Sequence, residues 1–136
     1  MFTNVEHLGL AVHDLEAATT LYTTLLGIAP YKKEHVASEA VDTVFFQVGG
    51  AKVELLAGTA PESAITKYLS KKGEGIHHVA FAVADIRAEM NRLRAEGFVL
   101  LNEEPKLGAD NKLVCFVHPK SAAGVLVELC QEIIKA

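Results

Sequence analysis

A chain of 136 residues, half of them apolar and about a fifth charged, has room for one domain or two very small ones. Its net charge of −4 gives no electrostatic reason to bind nucleic acid or an anionic membrane. No apolar run approaches the ~20 residues that span a bilayer, and Met1-Phe2-Thr3-Asn4 lacks the basic start and apolar core of an export signal.

Residues 5–12 alternate. Val5, His7, Gly9 and Ala11 share one face of a predicted strand, and Glu6, Leu8, Leu10 and Val12 the other. The small residues after His7 leave space beside its imidazole. Asp14 then offers an N-cap oxygen and Glu16 suits the positive end of a helix dipole. Leu15, Ala18, Tyr22, Leu25 and Leu26 recur at helical spacing, and Gly27 is a left-handed stop, so a helix is predicted over 14–26. Three β-like runs follow: 28–34, the weakest; 41–48, rich in branched and aromatic residues; and 52–57, after the tight turn Gly49-Gly50. In the last run Lys52, Glu54 and Leu56 face one way. Pro61-Glu62-Ser63 opens a short connecting helix over 61–72, and Lys71-Lys72-Gly73-Glu74-Gly75 leads onward.

The chain then repeats itself. Gly75-Ile76-His77-His78-Val79-Ala80-Phe81 restates the first strand with a histidine at its entrance. His78 follows His7 by 71 positions, Asp85 follows Asp14 by 71, Ile86 follows Leu15 by 71 and Gly97 follows Gly27 by 70. A helix is predicted over 86–96, with Ile86, Met90 and Leu93 as its stripe. Strands are predicted at 98–101, 113–118 and 124–130, and Glu128 lies 74 positions after Glu54. The pattern is α+β: one domain over 1–136, built of two βαβββ modules (3–58 and 75–133) joined by the connecting helix. The two cysteines, Cys115 and Cys130, sit in strand-like runs without CxxC spacing and read as reduced core thiols, consistent with a cytoplasmic protein.

The repeat singles out four side chains. If a pseudo-twofold relates the modules, His7, Glu54, His78 and Glu128 converge in a cleft. A lone histidine beside a strand is usually structural, but burying an unpaired glutamate is costly. Two of each at equivalent positions point to a divalent metal ion, with Co, Mn, Ni or Zn suited to imidazole and carboxylate together. Four protein ligands on an octahedral ion leave two positions for a chelating substrate. The register selects His78 over His77, which period two sends to the opposite face.

These features resemble the vicinal oxygen chelate superfamily, which pairs βαβββ modules around a metal. Glyoxalases, extradiol dioxygenases and epimerases belong to it. Nearly the whole chain is similar to the methylmalonyl-CoA epimerase family within it. The resemblance rests on Glu6-His7-Leu8-Gly9-Leu10-Ala11-Val12, Lys52-Val53-Glu54-Leu55-Leu56 and Gly75-Ile76-His77-His78-Val79-Ala80-Phe81. The distinctive part is Glu104-Pro105-Lys106-Leu107-Gly108-Ala109, His118-Pro119-Lys120-Ser121 and Gly124-Val125-Leu126-Val127-Glu128-Leu129.

The resemblance implies proton transfer at C2 of a methylmalonyl-CoA thioester through an enediolate-like anion, helped by the metal as a Lewis acid. It implies Glu128 as one acid/base and places the opposite one near Asp42, where some members of the family carry a glutamate, one methylene longer. Lys120 and Ser121 are candidate substrate contacts, and Lys71, Lys72 and Lys106 candidate phosphate contacts. A homodimer is the expected assembly. Two other functions are alternatives: a glyoxalase-like lyase on a thiol adduct, which would use nearly the same ligands, and a non-catalytic binding module, a class that typically lacks the full ligand set.

Overall fold

The computed structural model describes residues 1–133. Its elements run β1 (Phe2–Ala11), α1 (Leu15–Leu26), β2 (Lys32–Val36), β3 (Val41–Val48), β4 (Ala51–Gly58), α2 (Ala64–Lys72), β5 (Gly75–Val83), α3 (Ile86–Ala95), β6 (Lys106–Gly108), β7 (Lys112–Val117) and β8 (Val127–Glu132). The chain divides into two compact units, one of His7–His77 and one of Met1–Glu6 with His78 onward. The division falls inside β1.

In the His7–His77 unit the strand order is β2-β3-β4-β1. β1 and β4 are parallel; β4 with β3 and β3 with β2 are antiparallel. The parallel pair needs a crossover, and α1 is part of it. Asp14 has extended backbone and its side chain accepts from Ala17 N, so the first turn of α1 is capped as its sequence demands. Gly27 closes the helix at φ 71°, a left-handed geometry that costs glycine nothing, and its N–H reaches Thr23 O. Leu15, Ala18, Tyr22 and Leu26 pack on Val44, Phe46, Leu55 and Ala57 of β3 and β4. Leu25 does not join that stripe: it points outward with Leu21, the two being 68% and 62% exposed. On the other sheet face α2 covers Ala11, Val41 and Leu56 with Ile65 and Leu69. It begins at Ala64, later than Pro61 suggests, because Ser63 is the residue whose oxygen caps it.

The other unit repeats the order: β5, β8, β7, β6, with β5 and β8 parallel and the remaining pairs antiparallel. Asp85 caps α3 through Ala88 N, and Ile86, Met90 and Leu93 pack on Val83, Cys115, Val117 and Leu129. Glu89 is buried beside them. Hydrogen bonds from Arg92 and the Met1 amino group hold its carboxyl below the ordinary range. Both βαβββ patterns are therefore present. One strand differs from its predicted place. Residues 98–101 contribute only the isolated bridge Leu100–Val117, and the edge strand is Lys106–Gly108.

Candidate functional site

Register fixes which side chains share a face. In the His7–His77 unit Gly9 lies beside Glu54, Glu54 beside Phe45, and Phe45 beside Lys32. His7, two residues before Gly9, therefore shares the face of Glu54. His7 and Glu54 are each 4% exposed. His7 Nδ1 stands 3.0 Å from Glu54 Oε2, so the buried carboxylate is not left alone. On the β1 side Glu54 faces Gly9, which leaves the room beside the ligands that the small residues after His7 suggest. Lys32 Nζ lies 5.6 Å from the centroid of the Phe45 ring, a cation–π distance, and 3.3 Å from Glu34.

The other unit carries an equivalent pair. Glu128 lies between Ala80 and Phe116 in the register, and His78 shares its face. His78 and Glu128 are each 6% exposed, with His78 Nε2 3.2 Å from Glu128 Oε1. The other oxygen, Oε2, accepts a hydrogen bond from the Cys130 thiol at 3.2 Å. The Phe116 ring stands edge-on to His78, centroids 5.9 Å apart. Lys106 Nζ is 6.0 Å from the Phe116 centroid. Each unit thus sets a buried His–Glu pair beside a phenylalanine that carries a lysine.

His77 lies on the other face of β5. Its ring meets Tyr68 edge to face at 4.9 Å, and burial pushes its pKa down, so it is held neutral. Asp42 does not join Glu54. It pairs with Ala57, on the face that packs against α1, and its Oδ1 lies 2.8 Å from His35 Nδ1. The residue of β3 on the Glu54 face is its neighbour Thr43. Lys120 and Ser121 occupy the 3-10 turn Pro119–Ala122, whose cap is His118: Lys120 N–H donates to His118 Nδ1. Ser121 Oγ accepts from Val99 N–H at 3.0 Å and so anchors the neighbouring loop. The two phenylalanines, Lys32 and the Cys130 contact go unnoticed in a search for acids and histidines. One signal was available: Lys106 follows Lys32 by 74 positions, the offset that separates Glu128 from Glu54.

A family model described as Glyoxalase/Bleomycin resistance protein/Dioxygenase superfamily matches residues 6–116. An ethylmalonyl-CoA/methylmalonyl-CoA epimerase of Cereibacter sphaeroides is 39% identical over 133 residues, covering 96% of this chain and 99% of that protein. The crystal structure of methylmalonyl-CoA epimerase from Mycobacterium tuberculosis superposes with a TM-score of 0.94 at 34% identity, covering 98% of this chain and 90% of that one. A methylmalonyl-CoA epimerase in complex with methylmalonyl-CoA and NH4+ gives 0.93 at 33%, covering 97% and 96%.

Proposed function

We infer that this chain, which belongs to the Glyoxalase/Bleomycin resistance protein/Dioxygenase superfamily, is an isomerase that interconverts the two C2 epimers of methylmalonyl-CoA. The observation that carries the reading is the pair of buried His–Glu contacts at repeat-equivalent positions, in a chain that matches epimerases along nearly its whole length. A thiol-adduct lyase and a non-catalytic binder are the weaker readings, because the relatives of 36–39% identity are epimerases while the matching probable lactoylglutathione lyase is only 26% identical.

His7, Glu54, His78 and Glu128 are the proposed ligands of a divalent ion, with Co, Mn, Ni and Zn the candidates. The donor atoms support this. Two ligand atoms each about 2.1 Å from one ion and at right angles stand about 3.0 Å apart. The separations are 3.0 Å in one pair and 3.2 Å in the other. All four side chains are buried, where two imidazoles and two carboxylates would otherwise be expensive to leave uncompensated. When bound, such an ion supplies Lewis-acid stabilisation of the negative charge that develops on the thioester and carboxylate oxygens.

The chain's own groups do the proton chemistry. The proton at C2 lies between a thioester and a carboxylate, so a carboxylate base suffices to remove it. Glu128 is the proposed acid/base on one side of C2. Contacts from His78 and the Cys130 thiol fix the direction of its oxygens, which limits the geometries in which it meets the proton. For the opposite side, an ordered water is the proposed proton carrier, because Asp42 is turned away from Glu54. Lys106, set near the Phe116 ring whose register partner is Glu128, is better placed for the acyl end of the thioester than for distant phosphates. Lys71 and Lys72 end α2 and remain the proposed phosphate contacts, with Lys120 and Ser121 as secondary substrate contacts.

No helix among the described residues is long and apolar enough to cross a membrane. A cytoplasmic homodimer is the proposed setting, and the outward Leu21 and Leu25 give α1 apolar surface for a second copy.

The deciding experiment is incubation of metal-loaded protein with (S)-methylmalonyl-CoA in deuterated water. Deuterium at C2 and loss of optical purity are expected together. Retention of both the C2 proton and the configuration at high enzyme concentration would sink the reading. Ethylmalonyl-CoA should also turn over, since one extra methylene in an apolar pocket changes rates by only about 10–200-fold.

A further inference from the structure

Thr43 is buried completely, and its Oγ1 is the one buried side-chain oxygen or nitrogen among the described residues without a hydrogen-bond partner. Its place in the sheet is specific. Thr43 lies opposite Leu56 on β4 and opposite Glu34 on β2. It sits one step diagonally from Glu54, a separation of ~7–8 Å between backbone positions. It therefore shares the face of Glu54, and of His7 beyond it.

A hydroxyl held dry without a partner is a cost that a valine of the same shape would avoid. On one side of Thr43 the neighbours are apolar: Val41 and Leu56 pack against Ile65 and Leu69 of α2. On the other side, along β3, comes Phe45, directly beside Glu54. Along this face the Glu54 side is thus the one that leads from Thr43 to the His7–Glu54 pair. Glu34, across the strand, has its charge matched by Lys32 at 3.3 Å and does not repel an anion there.

We propose that Thr43 is a substrate-binding, specificity-determining residue whose hydroxyl donates to the free carboxylate of the malonyl group. The proposal rests on the epimerase reading and deepens it. A carboxylate is the acceptor that best compensates a desolvated hydroxyl, because hydrogen bonds to an ionised oxygen are roughly twice as strong as neutral ones. It is also the group that distinguishes this substrate from a simple acyl-CoA. Rotation about χ1 swings the hydroxyl through its arc without moving the backbone, so ligand entry can engage it locally.

The test compares Thr43→Val, Thr43→Ala and Thr43→Ser in the metal-loaded protein. KM and kcat are measured for methylmalonyl-CoA, and the inhibition constant for propionyl-CoA, which lacks the carboxylate. Thr43→Val should melt at the wild-type temperature or above it, since it removes an unpartnered hydroxyl and keeps the volume. Its KM should rise about tenfold, the scale of one lost hydrogen bond to a charge. Thr43→Ala should show the same rise, and Thr43→Ser should return KM to near wild type. Propionyl-CoA inhibition should change less than twofold. An unchanged KM in Thr43→Val, a lower melting temperature, or an equal rise for both thioesters would overturn the proposal. Deuterium exchange by the unmodified protein stands apart from all three outcomes, so failure here leaves the epimerase reading intact.

Discussion

At the scale of single residues, two carboxylates differ in how well they suit the proposed acid/base role. Glu128 is buried, held at both oxygens and paired with His78. Replacing it by Gln keeps the shape and the neighbours but removes the base, so epimerisation should fall by about 10²–10⁴-fold. Asp42→Asn should stay within about twofold of wild type, since Asp42 faces α1 and meets only a partly exposed histidine across the strand. Deuterium exchange at C2 measures both. Comparable losses in the two variants would mean that the face assignment of β3 is wrong. The family resemblance points to Asp42 because the opposite acid/base of some members falls near it in 41–48. A strand reverses its face at every residue, so a displacement of one position turns a candidate ligand toward the helix and leaves Thr43 in its place. His7, Glu54, His78 and Glu128 were legible for the opposite reason: the internal repeat constrains them twice.

At the scale of elements, the clearest sequence signals were the two aspartates that open α1 and α3. Each accepts from the amide three residues on, at 3.0 Å for Asp14 and 3.1 Å for Asp85. Each cap to Ala should lower stability by about 1 kcal/mol, with Asn or Ser recovering most of it. Urea unfolding at neutral pH checks this, and equal losses at both positions are expected because the caps are repeat-equivalent. The edge strand was harder to read. Residues 98–101 are apolar enough to suggest a strand, yet only Leu100 bridges Val117 while Val99 is tied down by Ser121. The actual β6 has three residues, Lys106–Gly108, too few and too polar to show a period of two. Its position follows from the lysine offset rather than from hydropathy. Leu25 failed for a related reason: an apolar residue beside the stripe of α1 looks like part of it until the packing shows which way it points.

At the scale of the whole molecule, the question is whether two His–Glu pairs make one site or two. Each unit contributes one pair, and each pair has donor atoms spaced as on a common ion. Two separate two-ligand sites would bind weakly and take up two ions per chain. The proposed four-ligand set would take one, and losing either half would destroy it. Elemental analysis of protein stripped with chelator and reloaded with Co²⁺ or Mn²⁺ should therefore give about one ion per chain. His7→Ala and His78→Ala should each give almost none, although the two histidines stand in different units. The same distinction is visible in stability. An ion that binds only the folded chain raises its stability by RT ln(1 + [L]/Kd), about 2.7 kcal/mol at a hundredfold excess over Kd. That increment should appear in the unmodified protein on metal addition and vanish in both variants. Retention of half the metal and part of the increment in each variant would show independent pairs, and the single four-ligand set would have to be abandoned.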